Sequence, residues 1–279
     1  MAQETPQFDE IIVEPVTNLF RLNLKEVWDY RELLFFFVWR DIAVRYKQTL
    51  LGAAWAILQP LLTMVIFSII FGRLANLPSD GIPYPIFTYT ALLPWQLFAR
   101  GVNDATNSLV GNQAMVTKTY FPRIILLISS VVSGLVDFTL SLVVLFGMMI
   151  FYQIPFTWRF VLLPVLTLVV VITAIAVGLW LSVFNVQFRD VKYAIPFLLQ
   201  FWQYASPIAY SISLIPERWL WLYGLNPMAG VVDGFRWVLL AQDYSLSVSI
   251  IPSLGIVFLL LVGGLIFFQH NERKFADMI

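Results

Sequence analysis

Side chains able to make and break bonds are few in this chain and far apart. His270 is the sole histidine among 279 residues and cysteine is absent, which excludes disulfides and thiolate metal sites. A lone histidine at the end of the last apolar run builds no metal centre and reads as an interfacial residue. No glycine-rich loop with a lysine is present to cradle a phosphate, and no carboxylate or histidine set falls at catalytic spacing. Asp137 is the one charge within residues 124–151. A single acid does not make the relay of an ion-coupled carrier. It reads as a structural group, held by polar side chains of a neighbouring helix and facing protein rather than lipid. No catalytic residue, metal ligand or cofactor site is assigned. What the chain holds in quantity is aromatic surface: Phe197, Phe201 and Tyr204 recur at helical spacing on one face, with Trp202 beside them.

The elements that must position these residues are membrane helices. The composition is 59% hydrophobic and 12% charged, against about 25% charged in a soluble domain. The run from Gln48 to Gly72 carries no charge and follows the cationic Arg45 and Lys47. Roughly 20 apolar residues as a helix cross a bilayer core, and a cationic start places the near end in the cytoplasm. The expected architecture is all-α: six transmembrane helices at about 53–72, 84–108, 124–151, 160–184, 193–213 and 249–269. Pro60 predicts a kink in the first. The second, with Arg100, Asn103, Asp104 and Asn107, is the least apolar, and its second half is expected at the interface or along a polar space.

Two further elements are expected. Residues 26–49 mix Trp28, Leu33, Phe36 and Phe37 with Asp29, Arg31, Arg40 and Arg45. Such a segment suits an amphipathic helix lying in the membrane interface. Residues 216–243 are apolar but broken by Pro216, Gly224, Pro227, Gly230 and Gly234. They predict two short helices joined near Asn226-Pro227, dipping into the membrane and returning, with Trp219 and Trp221 in the first. Residues 1–25 form a polar extension without the basic-then-apolar pattern of a cleavable leader. Under this topology only Arg73, Arg159, Arg218 and Arg236, of 17 Lys and Arg residues, fall opposite the N-terminal side. Both termini are therefore expected in the cytoplasm.

Three stretches carry a resemblance to a known family. Arg45-Tyr46-Lys47, then Leu51-Gly52, Trp55 and Pro60, resemble the first-span signature of ABC-2 type permeases, and most closely the branch that exports O-antigen, teichoic acid and capsular polysaccharides. Tyr120-Phe121-Pro122-Arg123 with Asp137-Phe138 looks like the second signature of that branch. Asn226-Pro227, followed by Gly234 and Arg236, looks like its third. The resemblance covers roughly residues 30–270.

The resemblance implies a non-enzymatic homodimeric permease of the cytoplasmic (inner) membrane. ATP would be bound and hydrolysed by two ATP-binding cassette subunits on the cytoplasmic face, and the substrate would be a polyprenyl-linked polysaccharide. It further implies that 26–49 and a short coupling helix at about 111–120 contact the ATPase. Coupling then falls to Arg40, Arg45, Asn112, Gln113, Lys118 and Tyr120. A sugar polymer needs an uncharged, sequence-tolerant path, and aromatic faces stack on sugar rings. Trp55, Gln59, Phe197, Phe201, Trp202 and Tyr204 are the expected channel lining. Arg40, Arg45 and Lys47 are placed to attract a pyrophosphate or anionic headgroups. The alternatives are an ABC-2 permease for a drug or small lipid, and an intramembrane enzyme, which would need a polar catalytic cluster that the sequence lacks.

Overall fold

The computed structural model describes residues 24–47, 52, 54–240, 248–272 and 275. The N-terminal extension up to residue 23, residues 48–49 of the expected interface helix, residues 241–243 and the basic Arg273 and Lys274 lie outside them. The described residues form helices and connecting turns, with no strand among them. Among the described residues, four helices are long and apolar enough to cross a membrane: Ala54–Leu74, Ile124–Phe151, Trp158–Gln187 and Ile250–Glu272.

The interface segment is two helices, α1 (Leu24–Asp29) and α2 (Arg31–Tyr46), with a turn at Tyr30. Phe37 is buried, packed on Phe121, while Phe35, Phe36 and Trp39 face outward. One side of α2 thus docks on the bundle and the other presents exposed aromatic side chains.

The first span, α3 (Ala54–Phe67), continues as a π-helical turn, Ser68–Leu74. Pro60 has no N–H for the carbonyl of Ala56 four residues back. Ser141 of the third span donates its hydroxyl to that carbonyl at 2.9 Å. The gap left by a proline at membrane depth is closed by a neighbouring helix. At Gly72 a Cβ would meet the Tyr84 ring at 2.8 Å, so a glycine is needed where the π turn presses on the next helix.

α4 (Tyr84–Gly111) is the axis of the fold. It packs against α8 (Leu163–Gln187), α6 (Ile124–Ser133), α7 (Leu135–Phe151), α11 (Pro227–Leu239) and α3. Most of its residues are buried, and the partly buried Arg100 and Asp104 are tolerated because they pair with one another and with Arg45 and Asp137. The tightest approach is to α8, where a Cβ on Gly178 would stand 2.7 Å from the Ala105 Cβ. Small residues let the helix backbones touch, the usual basis of packing in lipid. A six-residue helix, α5 (Gln113–Lys118), follows.

The third span is broken into α6 and α7 at Gly134, and the fourth runs three residues beyond its expected end, to Gln187. The fifth departs more. Expected over about 193–213, helix α9 covers Val191–Ala205 only. Ser206 precedes Pro207 and is extended, with φ −98° and ψ 151°, because a proline ring clashes with a helical residue before it. The irregular backbone that follows is held by Arg236, fully buried on α11. Its guanidinium donates to Ile208 O at 2.9 Å and Tyr210 O at 3.2 Å and lies 3.6 Å from the Phe87 ring centroid. Two short helices come next, α10 (Glu217–Tyr223) and α11, joined through Gly224–Asn226, and α12 (Ile250–Glu272) closes the described chain.

Candidate functional site

A cavity of about 730 Å³ opens between α3, α4, α7 and α9. Each wall has a local reason. Trp55, Gln59 and Thr63 recur every four residues on one face of α3, Trp95, Gln96, Arg100, Asn103 and Asp104 follow one side of α4, and Asp137, Phe138 and Ser141 come from α7. From α9 come Pro196, Leu199, Gln200 and Gln203, a face recurring every three to four residues.

One end of the cavity is a cluster of charge. Arg45, at the end of α2, reaches Asp137 at 3.0 Å and Asp104 at 3.2 Å, and its guanidinium also lies 3.4 Å from the Ser133 hydroxyl. Arg100 pairs with Asp137 and lies 3.6 Å from Asp104, four residues along its own helix. Tyr46 donates its phenol to the other Asp137 oxygen. Burial, together with this hydrogen bond to a carboxylate, pushes the Tyr46 phenol up to about 12, so it remains a donor at any physiological pH. Asp137 is 8% exposed and holds donors from α2 and α4. It faces protein, as a membrane acid must. Two cations are matched by two anions, so the cluster is internally neutral.

The expected channel residues separate in the structure. Trp55 and Gln59 line the cavity. Phe197 and Phe201, in edge-to-face contact at 4.5 Å, and Tyr204 stand on the adjoining face of α9, roughly a quarter turn away, and are exposed. Trp202 points elsewhere again. It packs on Trp95 and Phe98 and donates its indole N–H to Asn226 Oδ1 at 2.8 Å.

The residues expected to couple to an ATPase gather where α1 and α2 meet the α4–α5 corner. Arg40 donates to Asn112 Oδ1 at 2.9 Å, pairs with Asp41 at 2.8 Å and stacks over Phe37. Tyr120, just after α5, donates to Glu26 of α1 at 3.1 Å. Its phenol is raised by burial and by that carboxylate. Gln113 opens α5 and Lys118 ends it; both are exposed. Arg45 belongs instead to the charge cluster. Of the cations expected to attract a pyrophosphate, Arg40 and Arg45 already carry carboxylate partners, and Lys47 is exposed.

Between α10 and α11, Asn226 caps the second helix by accepting from Met228 N–H, and Pro227 takes the first helical position, where its missing N–H is not needed. The Asn226 amide also donates to Ser206 Oγ at 3.0 Å and Ala205 O at 3.3 Å. Trp219 and Trp221 are exposed on α10.

Besides Gln96, Gln200 and Gln203, sequence reasoning missed the pairing of Arg100 and Asp104, which it placed only at the interface or along a polar space. Their signal is present: opposite charges four residues apart in an otherwise apolar helix share a face and need partners in the membrane.

Comparison with known proteins adds the rest. A family model described as "ABC-2 type transporter" matches residues 32–240. The chain is 30% identical over 262 residues to the O-antigen export system permease protein RfbA of Myxococcus xanthus, covering 92% of this chain and 98% of that one. It is 29% identical over 245 residues to the RfbA protein of Klebsiella pneumoniae, covering 86% and 92%. To the polysialic acid transport protein KpsM of Escherichia coli it is 26% identical over 207 residues, covering 70% and 76%.

Proposed function

The chain belongs to the ABC-2 type transporter family, and from that premise we propose that it is the membrane-spanning permease of an ABC transporter that exports lipid-linked polysaccharide across the cytoplasmic membrane. The observation that carries this reading is the near full-length correspondence to two O-antigen export permeases. The cavity supports it. Its wall away from the charge cluster is aromatic and carboxamide rather than ionic, a lining along which a hydroxylated polymer moves without strong, directional trapping.

In this reading six segments cross the membrane. α4, enclosed by protein, and α9, extended by the irregular residues after Ser206, add two spans to the four long apolar helices. The α10–α11 pair enters from the outer side and returns. Both termini lie in the cytoplasm, and a second copy of the chain completes the conduit. Trp55 and Gln59 line it, joined by the outward row of Phe197, Phe201 and Tyr204, with Trp202 holding α9 to the re-entrant turn.

Two ATP-binding cassette subunits dock below, against α1, α2 and α5. Arg40, Asn112, Gln113, Lys118 and Tyr120 receive their motion. Arg45 carries it inward, because its partners Asp104 and Asp137 sit on α4 and α7.

Reconstitution tests the reading. Vesicles holding the permease with its ATPase, loaded with lipid-linked polymer on the ATPase side, should expose polymer to an added glycosidase only when ATP is supplied. ATP hydrolysis with no exposure of polymer, but with movement of a short-chain lipid or a drug, would replace the substrate class.

A further inference from the structure

The cavity has two chemically different parts. At its charged end, Arg45 and Arg100 are matched by Asp104 and Asp137, so no surplus positive charge is available for an anionic ligand. The remaining wall is uncharged, with four carboxamides set among apolar side chains such as Pro60, Phe138 and Leu199. Gln59 comes from α3, Gln96 from α4, and Gln200 and Gln203 from α9, with the exposed Trp55 among them. Among the described residues, none of these four carboxamides has a hydrogen-bond partner for its side chain.

A carboxamide donates and accepts at once, and so does a sugar hydroxyl. Exchanging water for hydroxyls on such groups gains little per bond, and less than a bond to a charge gains. A conduit that must release its cargo is served by the weaker kind. Indole faces cover the apolar faces of pyranose rings. The volume of about 730 Å³ lies within the roughly 300–1,000 Å³ of ligand pockets, room for a short run of rings.

We infer that this cavity is a binding subsite for a short neutral segment of glycan, gripped by Gln59, Gln96, Gln200 and Gln203 against the exposed indole of Trp55. The pyrophosphate end of a lipid-linked substrate does not lodge there. The inference rests on the export reading above and adds where, and by which groups, the sugar is held.

The chain has no cysteine, so Gln200→Cys and Gln203→Cys each place a single thiol in the full-length permease. Ala75→Cys, in the exposed turn after the first span, gives a thiol away from the cavity. The permease is expressed with an ATPase partner unable to hydrolyse ATP, which stalls the polymer in transit. Inverted membrane vesicles are treated with membrane-permeant radiolabelled N-ethylmaleimide, which also reaches the control thiol on the lumenal side, and labelling is normalised to permease in the membrane. Three backgrounds are compared: cells making the full lipid-linked polymer, cells making only the carrier lipid with its pyrophosphate, and cells making neither.

Labelling of Gln200→Cys and Gln203→Cys should fall about fivefold in the first background alone, as expected when roughly four in five sites are filled. Ala75→Cys should label equally in all three. Equal labelling of the cavity thiols throughout would overturn the subsite, and protection by carrier lipid alone would overturn the neutral-glycan assignment. If either variant fails to reach the membrane, Thr63→Cys on the facing wall repeats the test. Failure of the export reading itself would look different: wild-type permease would be dispensable for surface polymer in the same strain.

Discussion

Arg45 at the end of α2 and Asp137 in α7 form an ion pair at 3.0 Å, joining residues 92 positions apart. The pair ties the end of α2 to the interior of α7, and Arg100 and Asp104 of α4 close the group. The side chains of Arg45 and Asp137 are 18% and 11% exposed, shielded enough for their loss to matter.

Asp137→Asn leaves two guanidiniums facing one carboxylate. Removing one partner of a largely buried pair costs about 3–5 kcal/mol, and the opening to the cavity brings the expectation here nearer 2 kcal/mol. Thermal unfolding in detergent should fall by several degrees. The combined Arg45→Met, Asp137→Leu variant should recover part of the loss, because it removes the uncompensated charge as well as the pair. Equal, additive losses would mean that the two residues act independently.

Arg40→Ala breaks the bond to Asn112 between α2 and the α4–α5 corner. The pair is partly exposed, so stability should change by under about 1 kcal/mol. Export should fall about tenfold, equivalent to roughly 1.4 kcal/mol of coupling, while the complex still assembles and hydrolyses ATP. Charge reversal at the exposed Lys118 should act the same way. Loss of assembly with the ATPase at the membrane would contradict a coupling role for either.

Ser141→Ala removes the hydroxyl that satisfies the Ala56 carbonyl freed by Pro60. An orphaned carbonyl at membrane depth should lower stability by about 1–2 kcal/mol. In a Pro60→Ala background the helix regains its own donor for that carbonyl, and the effect of Ser141→Ala should shrink to a few tenths of a kcal/mol.

Asn226→Ala removes a helix cap together with the acceptor for Trp202 and the amide bonds to Ser206 and Ala205. A cap alone is worth about 1 kcal/mol, and the added bonds bring the expected loss to roughly 2–3 kcal/mol. Asn226→Asp keeps the acceptor and should retain the cap. An unchanged melting temperature for the alanine variant would show that the turn is held by packing alone.

Much of the architecture is legible in the sequence because apolar runs of span length have few alternative readings. The four long helices lie close to where uncharged windows place them, and the break between α10 and α11 falls at Asn226-Pro227, where capping chemistry and a helix-starting proline coincide. The end of α9 was readable too, from Pro207, but an apolar and aromatic continuation masks it. What hydropathy hides is the partnering of polar residues inside the bundle. Asp137 is legible as an acid needing company, whereas Arg45 lies over ninety residues away and Arg100 belongs to a different helix. The aromatic row of α9 is visible as a periodicity, yet nothing in a period tells which face meets the cavity. In the fold that face carries Gln200 and Gln203, a quarter turn from Phe197, Phe201 and Tyr204.

The most direct measurement uses cells lacking this chain. Lipid-linked glycan is extracted from the cytoplasmic leaflet while surface polysaccharide is stained in parallel. Polymer trapped inside and missing outside, restored by the intact chain but not by the chain with its coupling contacts removed, is the predicted result. Full surface polymer with no trapped intermediate would contradict polysaccharide export and turn the assignment toward a small lipid or a drug.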